Sequence, residues 1–285
     1  MSAPVILCAD DFAMTRGISN GILALAEAGR LSATSAMVNM PHWPDVAARA
    51  VALRDRFALG LHLNLTFGAP LGAMPKLAPS GELPPPEKVV GRAVSRAIDT
   101  LEVAGEIKRQ LDRFEAVAGA PPDFVDGHHH VHALPGVRDA LLGVLARRFP
   151  AGGPLIRDPA DKFLAILRRR VVAGKALTAA ALALGFRRQA EAAGFATNRG
   201  FSGYSTFGAL PYGEEFKTFL IEPGPRPMIM CHPGLADDEL AAADEIADRR
   251  PQELAFLANH AGLPDLIWHV TKRDAAGFPW PAAAD

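Results

Sequence analysis

Short apolar runs alternate along the chain with longer stretches in which apolar residues return every three or four positions. Residues 5–9, 35–39, 58–65, 124–126, 155–157, 227–231 and 266–270 have the run length and aliphatic content of strands. Between them, residues 17–28 place Ile18, Ile22, Leu25 and Ala26 on one helical stripe. Residues 44–54, 87–117, 135–147, 214–220 and 251–260 also predict helices, and 161–194 predicts one or two helices broken near Gly174. Residues 67–86 are different. They are rich in Gly and Pro and end in Pro84-Pro85-Pro86, which predicts a long ordered loop.

Strand–helix alternation from end to end implies a mainly parallel sheet. About seven or eight such units fit an α/β fold of the (β/α)-barrel type, distorted or incomplete, with residues 1–285 forming one domain. A doubly wound sheet is the alternative. No G-x-G-x-x-G or Walker sequence follows the first strand, which weakens its nucleotide-binding versions. In a parallel barrel the carboxyl ends of all strands form one rim, so residues far apart in sequence converge there.

Composition narrows the function classes. Of 285 residues, 49% are hydrophobic, enough to feed a core and to argue against disorder. Thirty Lys and Arg against 31 Asp and Glu give a net charge of -1, which argues against nucleic acid as a partner. Two cysteines, Cys8 and Cys231, cannot make a disulfide framework, and both read as small core residues. The N-terminus lacks a basic start, and the most apolar long stretch, 171–186, contains Lys175 and falls short of the ~20 residues a membrane span needs. The expectation is a cytoplasmic protein without a transmembrane segment.

The polar residues worth noticing lie where the strands should end. Asp10 and Asp11 follow the first strand. Adjacent carboxylates there repel unless a cation or hydrogen bonds stabilise them, and a helix cap would need only one. In Leu61-His62-Leu63-Asn64-Leu65-Thr66, polar residues alternate with apolar ones, so His62, Asn64 and Thr66 should share a face. Four of the nine histidines fall at His128, His129, His130 and His132. If that run is extended, His128, His130 and His132 share one face and His129 points away. Imidazoles with a carboxylate suit a divalent ion, and Asp11, His62 and His128 would leave open positions for water. His232, before Pro233-Gly234, is either a rim acid or base or a histidine that satisfies backbone groups. Arg157 either anchors a carboxylate at the site or pairs with Asp158 or Asp161. Residues 198–204 read equally as a sugar-facing loop or an ordinary one. Asn64, His130 and Phe201 are the candidate substrate contacts. Arg168-Arg169-Arg170 reads as a solvated helix face.

Taken together, these residues resemble the YdjC-like carbohydrate deacetylase family. The matching segments are Ala9-Asp10-Asp11-Phe12, Asn20-Gly21-Ile22, Gly29-Arg30-Leu31-Ser32-Ala33-Thr34-Ser35 and Gly60-Leu61-His62-Leu63-Asn64-Leu65-Thr66. Asp126-Gly127-His128-His129-His130-Val131-His132 and Cys231-His232-Pro233-Gly234 complete the ordered set. The resemblance implies a barrel-like fold, a homodimer and an N-acetylated carbohydrate substrate. It implies one divalent ion, Mg2+ or Zn2+, on Asp11, His62 and His128, with Asp10 as general base. His232 as acid and Arg157 as a supporting residue follow less directly. Two departures stand out: Ala13 where the family usually has Gly, and His129 where Gln is common. Two rivals remain open at this point, another barrel metallohydrolase acting on a phosphoester or cyclic amide, and a non-catalytic sugar-binding protein.

Overall fold

The computed structural model describes residues 4–244 and 246–269. Seven strands, β1 (Ile6–Phe12), β2 (Ala33–Ala36), β3 (Ala58–Leu63), β4 (Phe124–Gly127), β5 (Leu155–Ile156), β6 (Phe201–Ser202) and β7 (Met228–Cys231), form one sheet. The helices are α1 (Arg16–Glu27), α2 (Trp43–Ala52), α3 (Pro86–Val94), α4 (Thr100–Ala118), α5 (Val137–Arg148) and α6 (Phe163–Arg169). They continue as α7 (Ala173–Leu182), α8 (Phe186–Ala192), α9 (Tyr212–Phe219), α10 (Asp238–Ala243), α11 (Arg250–Asn259) and α12 (Leu263–Leu266).

Every strand pairing is parallel, in the order β5-β4-β3-β2-β1-β7-β6. That order is cyclic. Neighbours follow in sequence except where β1 meets β7, so the sheet curls as an incomplete barrel, and the doubly wound alternative falls away. The break lies between β5 and β6. There one backbone bond, from Ile156 N to the Ala196 carbonyl at 2.9 Å, reaches across.

Period-two alternation sorts the side chains into two cores. Leu7, Ala9, Leu59, Leu61, Leu63 and Val125 pack outward with the helices. Ile6, Cys8, Ala33, Ala58, Phe124, Leu155, Phe201, Met228 and Met230 pack together as a second buried cluster, the barrel interior. Continuing the inward sets toward the carboxyl ends gives Asp10 on β1, Ser35 on β2, His62 on β3, Asp126 on β4 and Arg157 just after β5. The same alternation that builds an apolar interior therefore stacks a polar layer on top of it.

Several boundaries differ from the sequence expectation, each for a local reason. β1 runs on through Asp10 and Asp11 because its pairing with β2 slips between Ala9 and Phe12, a bulge that takes Asp11 to φ 68°. β2 begins two residues before the expected 35–39 and stops at Ala36. The expected helix 87–117 is two: Asp99 caps α4 by accepting from the Leu101 and Glu102 amides, and Arg96 turns left-handed between the two helices. The last strand, expected at 266–270, is reduced to one parallel bridge between Val5 and Ile267, directly after α12, and the seventh strand of the sheet is instead β6, which was not expected; Val270 lies outside the described residues. Arg169 is not solvated. It is buried and donates to the Phe201, Ile221 and Glu222 carbonyls. Among the described residues, no helix is long and apolar enough to cross a membrane.

The interior tolerates little extra volume. A Cβ on Gly60 would sit 2.5 Å from the Phe124 ring. Gly60→Ala is therefore expected to cost about 1–3 kcal/mol through overpacking. Urea denaturation checks this, and an unchanged midpoint would contradict the packing described.

Candidate metal centre

The bulge in β1 gives Asp10 and Asp11 different surroundings. Neither caps α1, whose cap is Thr15, its hydroxyl accepting from the Ile18 amide. Asp10 meets Arg157 in a two-pronged ion pair, with Nη1 at 2.7 Å from Oδ1 and Nη2 at 2.9 Å from Oδ2. Nη1 of Arg157 also lies 2.8 Å from Asp126 Oδ2. Of the two readings of Arg157, the structure therefore takes the first: it anchors carboxylates at the site and does not pair with Asp158 or Asp161.

Asp126 in turn orients His62. The His62 Nδ1–H lies 2.7 Å from Asp126 Oδ1 and 3.0 Å from the Ser35 hydroxyl, and Ser35 donates to Asp126 Oδ2 at 3.0 Å. This turns His62 Nε2 toward Asp11, 3.2 Å from its Oδ1. His128 Nδ1 approaches the same oxygen at 2.9 Å. One ligand-type atom from each of Asp11, His62 and His128 lies within 4.8 Å of the others. The second oxygen of Asp11 is taken by Arg250 Nη2 at 2.6 Å.

The donor set fits a divalent ion. Three buried carboxyl groups, Asp10, Asp11 and Asp126, face two buried guanidinium groups, Arg157 and Arg250. Arg250 also pairs with Asp244, so negative charge is in excess around His62. Burial alone would lower its pKa, but the Asp126 charge and the hydrogen bonds to Asp11 and Asp126 outweigh it and raise the value to about 10. A proton sits where a cation would. His62 also has the carboxylate behind its other nitrogen that orients metal-ligating histidines. A second cluster, Cys8, Asp10 and Asp126, offers a thiol and two carboxylates, but Arg157 already pairs with both carboxylates.

The histidine run is a turn rather than a strand. Residues His128–Ala133 form a 3-10 turn with His129 and His130 left-handed, at φ 52° and 58°. The expected alternation does not occur. His128 points at Asp11, His129 reaches the Thr66 hydroxyl at 2.9 Å, and His132 donates from Nε2 to the Arg157 carbonyl. Burial first, and then the Arg157 charge, push the His132 pKa down to about 3, so it stays neutral. Ala13 takes φ 74°, so this chain adopts the left-handed turn although it carries Ala there.

These groups lie along a cleft of about 950 Å3, lined by Asp10, Asp11, His62, His128, His130 and His232 among others. His232 is half-buried, its amide donates to Glu253 Oε2 at 2.6 Å, and its ring meets Phe207 edge-on. Two expected substrate contacts are elsewhere. Asn64 is buried beneath the 64–69 turn, bonded to Asn39 and to the Thr66 and Phe67 backbone. Phe201 is buried in the barrel interior, with Arg157 stacked over its ring. The aromatic residues that do line the cleft are Phe67, Tyr204 and Phe207. Arg250 and Glu253 carried no signal that singled them out in the sequence, while Asp126 and Ser35 stand in the matching segments without an assigned role. Their partners are distant in the chain, 239 positions away for Arg250 and Asp11.

Removing Arg157 would leave Asp10 and Asp126 buried without their shared cation. Arg157→Met is expected to lose about 3–5 kcal/mol of stability at neutral pH, read by denaturant unfolding. The pH dependence has a definite sign. Burial raises the Asp10 pKa, but Arg157 and His62 overcome it and bring it to about 2, below the ordinary 3.8. That contribution is present above about pH 4 and is lost as pH falls toward 2. Arg157→Met should flatten this acid limb, and an unaltered limb would contradict the assignment.

The YdjC-like protein family model matches residues 4–263. Chitooligosaccharide deacetylases of Yersinia pestis (strain Pestoides F) and Yersinia pseudotuberculosis serotype O:3 (strain YPIII) are each 40% identical to the chain over 151 residues. The match takes in 52% of this chain and 57% of theirs, so the chain spans little more than half the length of these curated relatives. An Enterococcus faecalis V583 protein, provisionally described as a cellobiose-phosphate cleavage protein, superposes with a TM-score of 0.70. The superposition covers 95% of this chain and 98% of that one at 19% identity, a likeness of fold. With the family model matched along almost its whole length, the chain belongs to the YdjC-like family.

Proposed function

We propose that the chain is a metal-dependent hydrolase that removes the acetyl group from an N-acetylated sugar. The observation that carries this reading is the meeting of Asp11, His62 and His128 on the wall of a large cleft, with Asp10 and His232 lining the same cleft. Family membership and the deacetylase relatives support it. Asp11, His62 and His128 would hold the ion. When bound, a divalent ion there supplies Lewis acidity toward the acetyl carbonyl and makes a water more acidic.

The other roles fall to the chain's own residues. Arg157 keeps Asp10 ionised and fixes both of its oxygens, so a proton acceptor stands ready beside the ligand set. Asp10 takes the proton of the attacking water. His232 delivers a proton to the departing sugar nitrogen, and Glu253 fixes its backbone. Tyr204, Phe207 and Phe67 offer flat faces to sugar rings, with His130 beside Tyr204. Asn64 and Phe201 act behind this surface, by shaping the 64–69 turn and supporting Arg157. Acetate and a free amino sugar result.

Two measurements test the reading. Asp10→Asn is expected to keep its metal but lose about 10²–10⁴-fold in acetate release from N-acetylated chitooligosaccharides. His128→Ala should lose both metal and turnover. Full activity of Asp10→Asn would remove the base assignment. Metal binding must also displace the His62 proton, whose pKa in the metal-free protein is about 10. Affinity should therefore climb with pH, about tenfold per unit below that value while one proton is released. In the metal-free protein, His62 contributes stability in full below about pH 6.5 and loses it as pH rises through about 10. Calorimetric titration in buffers of different ionisation enthalpy counts the protons, and a pH-independent affinity would count against His62 as a ligand.

A further inference from the structure

We propose that Arg250 is a positioning residue that confines Asp11 to a single ligating oxygen and so keeps a coordination position open. The proposal rests on the metal-dependent reading above. Arg250 stands in the first turn of α11, at 1% exposure. Nη2 holds Asp11 Oδ2 at 2.6 Å, while the two imidazoles converge on Oδ1. The guanidinium cannot swing away easily. Its Nε pairs with Asp244, and its side chain packs on the backbone of Gly234, where an added Cβ would lie 3.3 Å from Arg250 Cδ. The Arg250 carbonyl accepts from the Gly234 amide, which links it to the turn that follows His232.

This arrangement runs against tight metal binding. A carboxylate with both oxygens free can grip an ion with both, and a full positive charge beside the ligand set repels a divalent ion. Arg250 removes one oxygen and adds that charge. What it leaves is an ion held by three donor atoms, the arrangement in which positions remain for water and a substrate oxygen. A residue kept only for stability would raise metal affinity or leave it alone. Arg250 should lower it.

The test uses cobalt(II) as the probe on full-length, chelator-treated protein. Arg250→Gln is too short to reach Asp11 Oδ2. It should bind cobalt at least about tenfold more tightly, the size expected from removing a unit charge ~6 Å from a divalent ion even at the full screening of water. Its visible absorption bands should weaken as Asp11 becomes a two-oxygen ligand, and kcat should fall. Arg250→Lys, which keeps the charge and one donor, should return the spectrum toward that of the unaltered protein. Unchanged bands in Arg250→Gln, or looser cobalt binding accompanied only by a lower Tm, would overturn the proposal. A crystal structure of the unaltered, cobalt-loaded protein tests it without any variant: Asp11 should bind through Oδ1 alone, and an ion held by both oxygens overturns it. Absence of any cobalt-dependent band in the unaltered protein would instead overturn the metal reading on which the proposal rests.

Discussion

Everything at the carboxyl edge of this sheet depends on how buried charges are neutralised. Asp10, Asp11 and Asp126 are almost wholly buried, the first two at the wall of the cleft, and an unpaired carboxylate there would be costly. The chain answers with one connected network. Arg157 bridges Asp10 and Asp126, Asp126 holds His62, His62 meets Asp11, and Asp11 is shared by His128 and Arg250. Two guanidinium groups do not balance these carboxyl groups, since Arg250 also serves Asp244, and the surplus negative charge raises the His62 pKa to about 10. A network completed by an exchangeable cation is costly as a stability device. It is well suited to holding an ion.

The fold supplies the geometry for that network cheaply. Alternation along the parallel strands puts Ile6, Cys8, Ala33, Ala58 and Phe124 inside, and continuing the same alternation puts Asp10, Ser35, His62 and Asp126 on the same axis. Only β1 has to break its pattern. Its bulge separates the two neighbouring aspartates, so that one faces Arg157 and the other faces His62 and His128. Helix α11 then closes the site from outside the sheet. Arg250 reaches Asp11 and Glu253 reaches the His232 backbone. From the same helix start, buried Arg249 pairs with Glu215, which anchors Ser205 and Thr206 beside Phe207.

The parts legible in the sequence were those with a local signature. Strand–helix alternation led to the parallel, barrel-like sheet. The motifs at Asp10-Asp11, His62, the histidine run and His232 marked the rim where the structure brings them together. What stayed hidden was decided at long range or by backbone geometry. The histidine run has no periodic cue that distinguishes a left-handed turn from a strand, and reading it as extended misassigned its faces. Asn64 looked like a rim residue because it alternates with leucines, yet the strand ends at Leu63 and Asn64 turns back to tie its own loop. Arg249 and Arg250 resemble any charged helix start, and nothing nearby in sequence tells that both are buried. The split at Ser95–Asp99 depends on a cap that a helical stripe passes over.

The central claim is that this network holds a divalent ion for removing an acetyl group from a sugar. Its most direct test is acetate release from a panel of N-acetylated mono- and oligosaccharides. The protein should be assayed after chelation and again after zinc, magnesium, manganese or cobalt is restored. The account predicts release from at least one substrate only when an ion is returned. Equal release with and without an ion, or none from any substrate by protein shown to carry one, would contradict it.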